Sequence, residues 1–187
     1  MADPDGQIWS AVLAHLRTQS PAICRQWFDR LEPLGLQSGQ LRVLAPSRVH
    51  RDYLQRECQQ PFTDALQHVS GRLFGIRFLE PDETPGPAPL GRAAPARNGD
   101  GNIILNPDND FENFVQGPGN QLALAAARAV ASNPGRSYNP LFIHGASGLG
   151  KTHLLQAICL KLLEHNPDLR LTYIPCERFQ NQFMESV

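Results

Sequence analysis

Apolar positions in the first 80 residues change period several times. Ile8, Trp9, Val12, Leu13 and Leu16 recur at three- and four-residue spacing, which predicts an amphipathic helix. Ser20-Pro21 reads as an N-cap and first-turn pair, with Ile23, Trp27 and Leu31 on one face of a second helix. Residues 33–39 break that pattern and leave room for a short strand near 34–36. Leu41, Val43 and Ala45 then alternate, as in a half-buried strand. Ser47 can cap a third helix carrying Val49, Tyr53 and Leu54. Pro61 interrupts or kinks it, and Phe62, Leu66 and Val69 continue the stripe. Phe74, Ile76 and Phe78 alternate as a closing strand. The predicted order is helix, helix, strand, helix, strand, a small α+β module over residues 1–80.

Residues 81–102 carry no such pattern. They hold five Pro and four Gly and no aromatic residue. A stretch of that composition buries too little to offset its ordering entropy, which predicts a flexible linker. Periodicity resumes beyond it, over 103–187. Residues 120–132 form an Ala-rich helical pattern, stopped by Asn133-Pro134-Gly135. Leu141-Phe142-Ile143 is a continuous apolar run suited to a buried parallel strand. Leu154, Leu155, Ile158, Cys159 and Leu162 mark a helix, residues 169–174 a second strand, and Phe179 and Phe183 one side of a helix from 177 onward. Strand–helix–strand–helix predicts an α/β fold for this part.

Composition narrows the function. The 187 residues carry 17 Lys+Arg against 18 Asp+Glu, so no polybasic charge holds nucleic acid. The N-terminus has acids and no apolar core where a secretory signal would have bases and one, which predicts a cytoplasmic protein. Cys24, Cys58, Cys159 and Cys176 form no CxxC pair, and the His form no HExxH. Four reduced, packed thiols are expected, not a disulfide framework or a zinc site.

One motif carries chemistry. Gly145-Ala146-Ser147-Gly148-Leu149-Gly150-Lys151-Thr152 fits GxxxxGK[ST], between a predicted strand and a predicted helix. Glycines let the backbone turn with positive φ and approach phosphate. Successive N–H groups then converge on an anion, and the helix adds its positive end. Gly145, Gly148, Gly150, Lys151 and Thr152 are therefore candidate ligands of a nucleotide's phosphates, and the loop by itself does not say which nucleotide. The Thr152 hydroxyl is the candidate Mg²⁺ ligand. Hydrolysis also needs an acid to hold Mg²⁺ and a group to orient water. No apolar run before Val187 ends in such an acid, so the catalytic residues are unassigned. The chain is expected to be the N-terminal part of a longer protein, or a fragment.

Leu105-Asn106-Pro107, the run from Phe111 to Gly117 with Asn120, Tyr138 to Gly145 and Gly148 to Leu155 together resemble the DnaA family of bacterial chromosomal replication initiators. The likeness continues through Asn166-Pro167-Asp168-Leu169 and Glu177-Arg178-Phe179. It extends more weakly to the first 80 residues through Ile8-Trp9, Trp27-Phe28 and Leu44-Ala45-Pro46. Ala146-Ser147 departs from the usual loop residues, and Cys176 stands where a Ser or Thr would cap the next helix.

The resemblance implies a KH-like module over 1–80, a tether over 81–102, and the start of an AAA+ P-loop ATPase domain over 103–187. The module would self-associate and contact the replicative helicase and initiation regulators. ATP-bound protein would assemble at origin DNA, read by a C-terminal helix-turn-helix beyond Val187. Acidic phospholipids are a further implied partner. By motif position Phe114, Val115 and Gly117 would close over the adenine; Phe111 and Phe114 could equally anchor the chain to the core, and both roles can hold at once. Trp9 is either a self-association contact or a core aromatic, and Trp27 is expected in the core. His153 is expected on the helix surface near the nucleotide, without a catalytic role. Two alternatives remain open on the sequence: a helicase-loader ATPase, which shares this style of P-loop, and a partner-binding fragment with an inert ATPase part.

Overall fold

The computed structural model describes residues 4–37, 39–81 and 104–185. The linker expected over 81–102 lies, from residue 82, outside the described residues. The chain divides into two compact units, Met1–Ala88 and Pro89–Val187.

The first unit sets helices against a three-stranded sheet. Its elements are α1 (Pro4–Gln19), β1 (Glu32–Gln37), β2 (Gln40–Leu44), α2 (Arg48–Tyr53), α3 (Gln59–Ser70) and β3 (Gly75–Leu79). β1 pairs antiparallel with β2, and β2 pairs parallel with β3. A parallel neighbour requires a crossover, which α2 and α3 supply. The short strand anticipated near 34–36 is β1. Leu41 and Val43 of β2 are fully buried.

Phe62 is the hub of this core. It stacks on Trp9 at 5.7 Å and lies 5.3 Å from Phe28 and 5.4 Å from Phe78. Trp9 is only 5% exposed, so it is a core aromatic and not a surface contact. Trp27 is buried too, edge-on to Phe28, His50 and Tyr53.

Two local expectations are corrected, and a third takes a particular form. Residues 20–31 form two short 3₁₀ turns, Pro21–Ile23 and Gln26–Arg30, rather than one helix. Trp27 and Phe28 are adjacent and both buried, which a single stripe of i, i+4 positions does not accommodate. Ser47 precedes α2 but does not cap it; its Oγ hydrogen-bonds His50 Nδ1 at 2.8 Å. Pro61 interrupts the α-helical pattern without ending the helical path. Residues 54–58 form a wide π turn just before it. Pro61 has no N–H for the Glu57 carbonyl and its ring crowds that carbonyl, so the preceding turn opens instead.

The second unit is built on α4 (Gln121–Ser132) and α5 (Lys151–His165), with α6 (Cys176–Glu185) beyond them. Leu124, Ala127 and Ala131 of α4 meet Leu154 and Ile158 of α5, and Phe111, Phe114, Leu141 and Ile143 pack against that cluster. Alanines on α4 let the two helices approach closely.

The strands expected at 141–143 and 169–174 are not paired among the described residues. Apolar content fits a residue for a strand, but only a hydrogen-bonded neighbour makes it one. Leu141 and Ile143 face the helical core, whereas Phe142 is 82% exposed and stacks on His144 at 5.8 Å. Helix α6 begins at Cys176 itself, and Phe179 N–H bonds the Pro175 carbonyl. Pro175 therefore occupies the cap position expected of Cys176. Phe179 and Phe183 are exposed. Among the described residues no helix is long and apolar enough to cross a membrane.

Candidate functional site

The site is assembled on the first turn of α5. Gly145, Gly148 and Gly150 all adopt positive φ, at 152°, 81° and 84°. Such a path is strained for residues with a Cβ, so these glycines let the 145–150 loop fold back on itself. Gly150 is the N-cap of α5 and has no side chain to bond the helix's first N–H groups. The first N–H bonded to that cap is that of Leu154, to the Gly150 carbonyl at 3.0 Å. The N–H groups of Lys151, Thr152 and His153 precede it and lack intrahelical acceptors, the arrangement that suits an anion.

Lys151 folds over this loop. Its Nζ donates to the Gly145 and Ala146 carbonyls, at 2.9 and 2.7 Å. The ammonium is thus held where the loop's concave side would meet a phosphate. Thr152 is exposed on the same turn, its hydroxyl available to a cation. Among the described residues no three His, Cys, Asp or Glu side chains converge on a metal site. The N–H groups of this turn and the Lys151 ammonium fit an anion such as a phosphate, and Thr152 offers an exposed hydroxyl beside them.

A cleft of about 290 Å³ adjoins the loop. Leu149 and Lys151 line it from the phosphate side, and Gly117, Gly119 and Asn120 from the segment before α4. Ile143, Ala123 and Leu154 supply apolar surface. That mixture suits a heterocycle joined to a polyanion.

The structure separates the residues expected near the base. Gly117 lines the cleft. Val115 is 85% exposed and does not line it. Phe114 does not line it either; it packs against the helical core, edge-on to His153 at 5.2 Å. A Cβ at Gly150 would lie 2.8 Å from Phe114 Cε2. Phe114 therefore presses on the last glycine of the phosphate loop, the anchoring role that was one of its two readings.

Three polar residues with no role in the sequence reading brace the segment that leads into α4. Gln156 is 6% exposed, and its Oε1 accepts from Asn106 N at 2.9 Å and Asn109 Nδ2 at 3.0 Å. His153 Nε2 donates to the Asp110 carbonyl at 2.6 Å. Together they clamp residues 106–114 onto α5. Asn120 bonds the Gly117 N–H and the Val115 carbonyl through its carboxamide. Gln156 left a signal in the sequence: it is the one polar residue between Leu154 and Ile158, on a face otherwise apolar.

Cys159, further along α5, plays no part in the site. Burial pushes its thiol up to about 11, keeping it neutral and inert at ordinary pH.

Two family models match the chain. The one described as "Bacterial DnaA ATPAse domain" covers residues 105–187, and the one described as "DnaA N-terminal domain" covers residues 6–69. Proteins named "Chromosomal replication initiator protein DnaA" from Deinococcus deserti and Thermus thermophilus are each 37% identical to it, over 97% and 96% of the chain. The chain spans 42% and 41% of the length of these two relatives. A crystal structure of domain III of the Thermotoga maritima replication initiation protein DnaA matches 45% of this chain and 35% of that one, at 57% identity and a TM-score of 0.42.

Proposed function

Since the chain belongs to the DnaA family and carries its N-terminal domain and the start of its AAA+ ATPase domain, we propose that its second unit binds ATP–Mg²⁺ for the initiation of chromosome replication. The observation that carries this reading is the 145–152 loop: three positive-φ glycines, a lysine folded over their carbonyls, and a helix start without a side-chain cap. Lys151 neutralises the β/γ-phosphates, Thr152 holds Mg²⁺, and the loop and first-turn N–H groups take the phosphate oxygens. The base enters the adjoining cleft beside Gly117. Bound Mg²⁺ would supply charge neutralisation between the phosphates.

The chain is read in three parts: an interaction module over 1–80, a tether over 81–102 and the ATPase portion over 103–187. In the whole protein the module would self-associate and meet the replicative helicase and initiation regulators. Origin DNA would be read by a further domain. The buried state of Trp9 argues that self-association uses other residues of the module. The N-terminal module favours an initiator over a helicase loader built on the ATPase domain.

The test is calorimetric titration of ATP–Mg²⁺ into wild type and Lys151→Ala. A bond to a charged group contributes about 1.5–3 kcal/mol, so affinity should fall at least roughly tenfold. Equal affinity in the two proteins would refute the role of Lys151.

A further inference from the structure

We propose that Asn120 is a positioning residue for the base end of the nucleotide site, its carboxamide fixing the 115–120 loop as one wall of the cleft. The inference rests on the nucleotide reading above. Asn120 precedes α4, where an Asn side chain ordinarily accepts from the N–H groups of the first turn. It makes no such bond here. The carboxamide turns the other way instead. Its Oδ1 accepts from Gly117 N at 2.8 Å, and its Nδ2 donates to the Val115 carbonyl at 3.0 Å. The Asn120 backbone N–H closes the same loop onto the Gly117 carbonyl at 3.2 Å.

One residue thus fixes three backbone groups of the 115–117 segment, and gives up its helix cap to do so. The segment Gly117-Pro118-Gly119 has little side chain of its own to hold a shape. Gly117 and Gly119 nonetheless line the cleft, beside Asn120 itself. A wall of glycine backbone is selective only if its peptide groups are held still, because hydrogen-bond readout of a base fails on a mobile partner. The phosphate loop owes nothing to Asn120: its carbonyls are bonded by Lys151. Asn120 should therefore matter to the nucleoside and not to the phosphate chain.

Asn120→Ser and Asn120→Thr separate these roles, since both residues are good helix caps but cannot span Gly117 and Val115 together. The assay is displacement of a fluorescent ATP analogue from the 187-residue chain by ATP or by inorganic tripolyphosphate, each with Mg²⁺. Amide exchange at Gly117 is followed in parallel. Both variants should bind ATP about tenfold more weakly, the effect of losing two ordinary hydrogen bonds. Tripolyphosphate affinity should stay unchanged, and Gly117 exchange should accelerate. Unchanged ATP affinity, equal losses for both ligands, or unchanged Gly117 exchange would each overturn the assignment. Failure of wild type to bind ATP at all refutes the nucleotide reading itself. Wild-type binding with an unaltered variant refutes only the role of Asn120.

Discussion

Gly150→Ala tests the contact between the phosphate loop and the segment that precedes α4. Two costs add. The backbone at Gly150 has φ +84°, and a left-handed conformation costs an alanine about 1–2 kcal/mol. The new Cβ would also lie 2.8 Å from Phe114 Cε2, well inside the roughly 3.5–4.0 Å at which carbons rest. Phe114 is held in place by His153, which is itself bonded to the Asp110 carbonyl. Forcing a ring aside in a packed setting costs about 1–3 kcal/mol. The sum for Gly150→Ala is about 2–5 kcal/mol.

Only the steric part depends on Phe114. Phe114→Ala should itself cost about 2–4 kcal/mol, near the low end for a large-to-small change because the ring is half-buried. The double variant should retain the φ cost and lose the clash. A double-mutant cycle should therefore show a coupling of about 1–3 kcal/mol, with the double variant more stable than the sum of the singles. Native-state hydrogen exchange at the Leu154, Ala157 and Ile158 amides reports the opening free energy, since these residues form the buried side of α5. Additivity within about 0.5 kcal/mol would refute the contact.

Three further outcomes follow from the packing. Gln156→Leu strands the Asn106 N–H and the Asn109 amide, and should cost about 1–3 kcal/mol; Asn106 amide exchange unchanged from wild type would count against the clamp. Trp9→Ala empties the position stacked on Phe62 and should destabilise the first unit by about 3–5 kcal/mol, read by Trp27 fluorescence in urea; altered self-association with unaltered stability would contradict its core role. Burial raises the thiols of Cys58 and Cys159 to about 11, with the Arg25 guanidinium partly opposing this at Cys58. An unfolded thiol ionises near roughly 8.5. Stability from these groups is therefore complete below that pH and is lost as pH rises toward 11, because the unfolded chain releases its protons first. Urea midpoints should decline over that window, and by less in a Cys58→Ala/Cys159→Ala variant; an identical decline would refute the assignment.

Features written in contiguous residues were legible from the chain alone. The 145–152 loop needs only its own glycines, lysine and following helix, so spacing sufficed to place it between Ile143 and α5. The end of helix α4 is legible for the same reason: Asn133-Pro134-Gly135 stands just after it and acts within a turn of its own position. What depends on a distant partner could not be read that way. Whether Trp9 faced solvent or the core turned on Phe62, more than fifty residues away. Trp27 and Phe28 both went inside because α3 and the sheet offered room for both, and the predicted helix became two short turns. Motif position leaves Phe114 both a base-side and a core-anchoring reading, and its contact with the helical core turns on His153 and Gly150, about forty residues along the chain. Local chemistry fixes backbone paths over a few residues. The direction of a side chain that has two possible partners is decided by whichever partner the tertiary structure brings into contact.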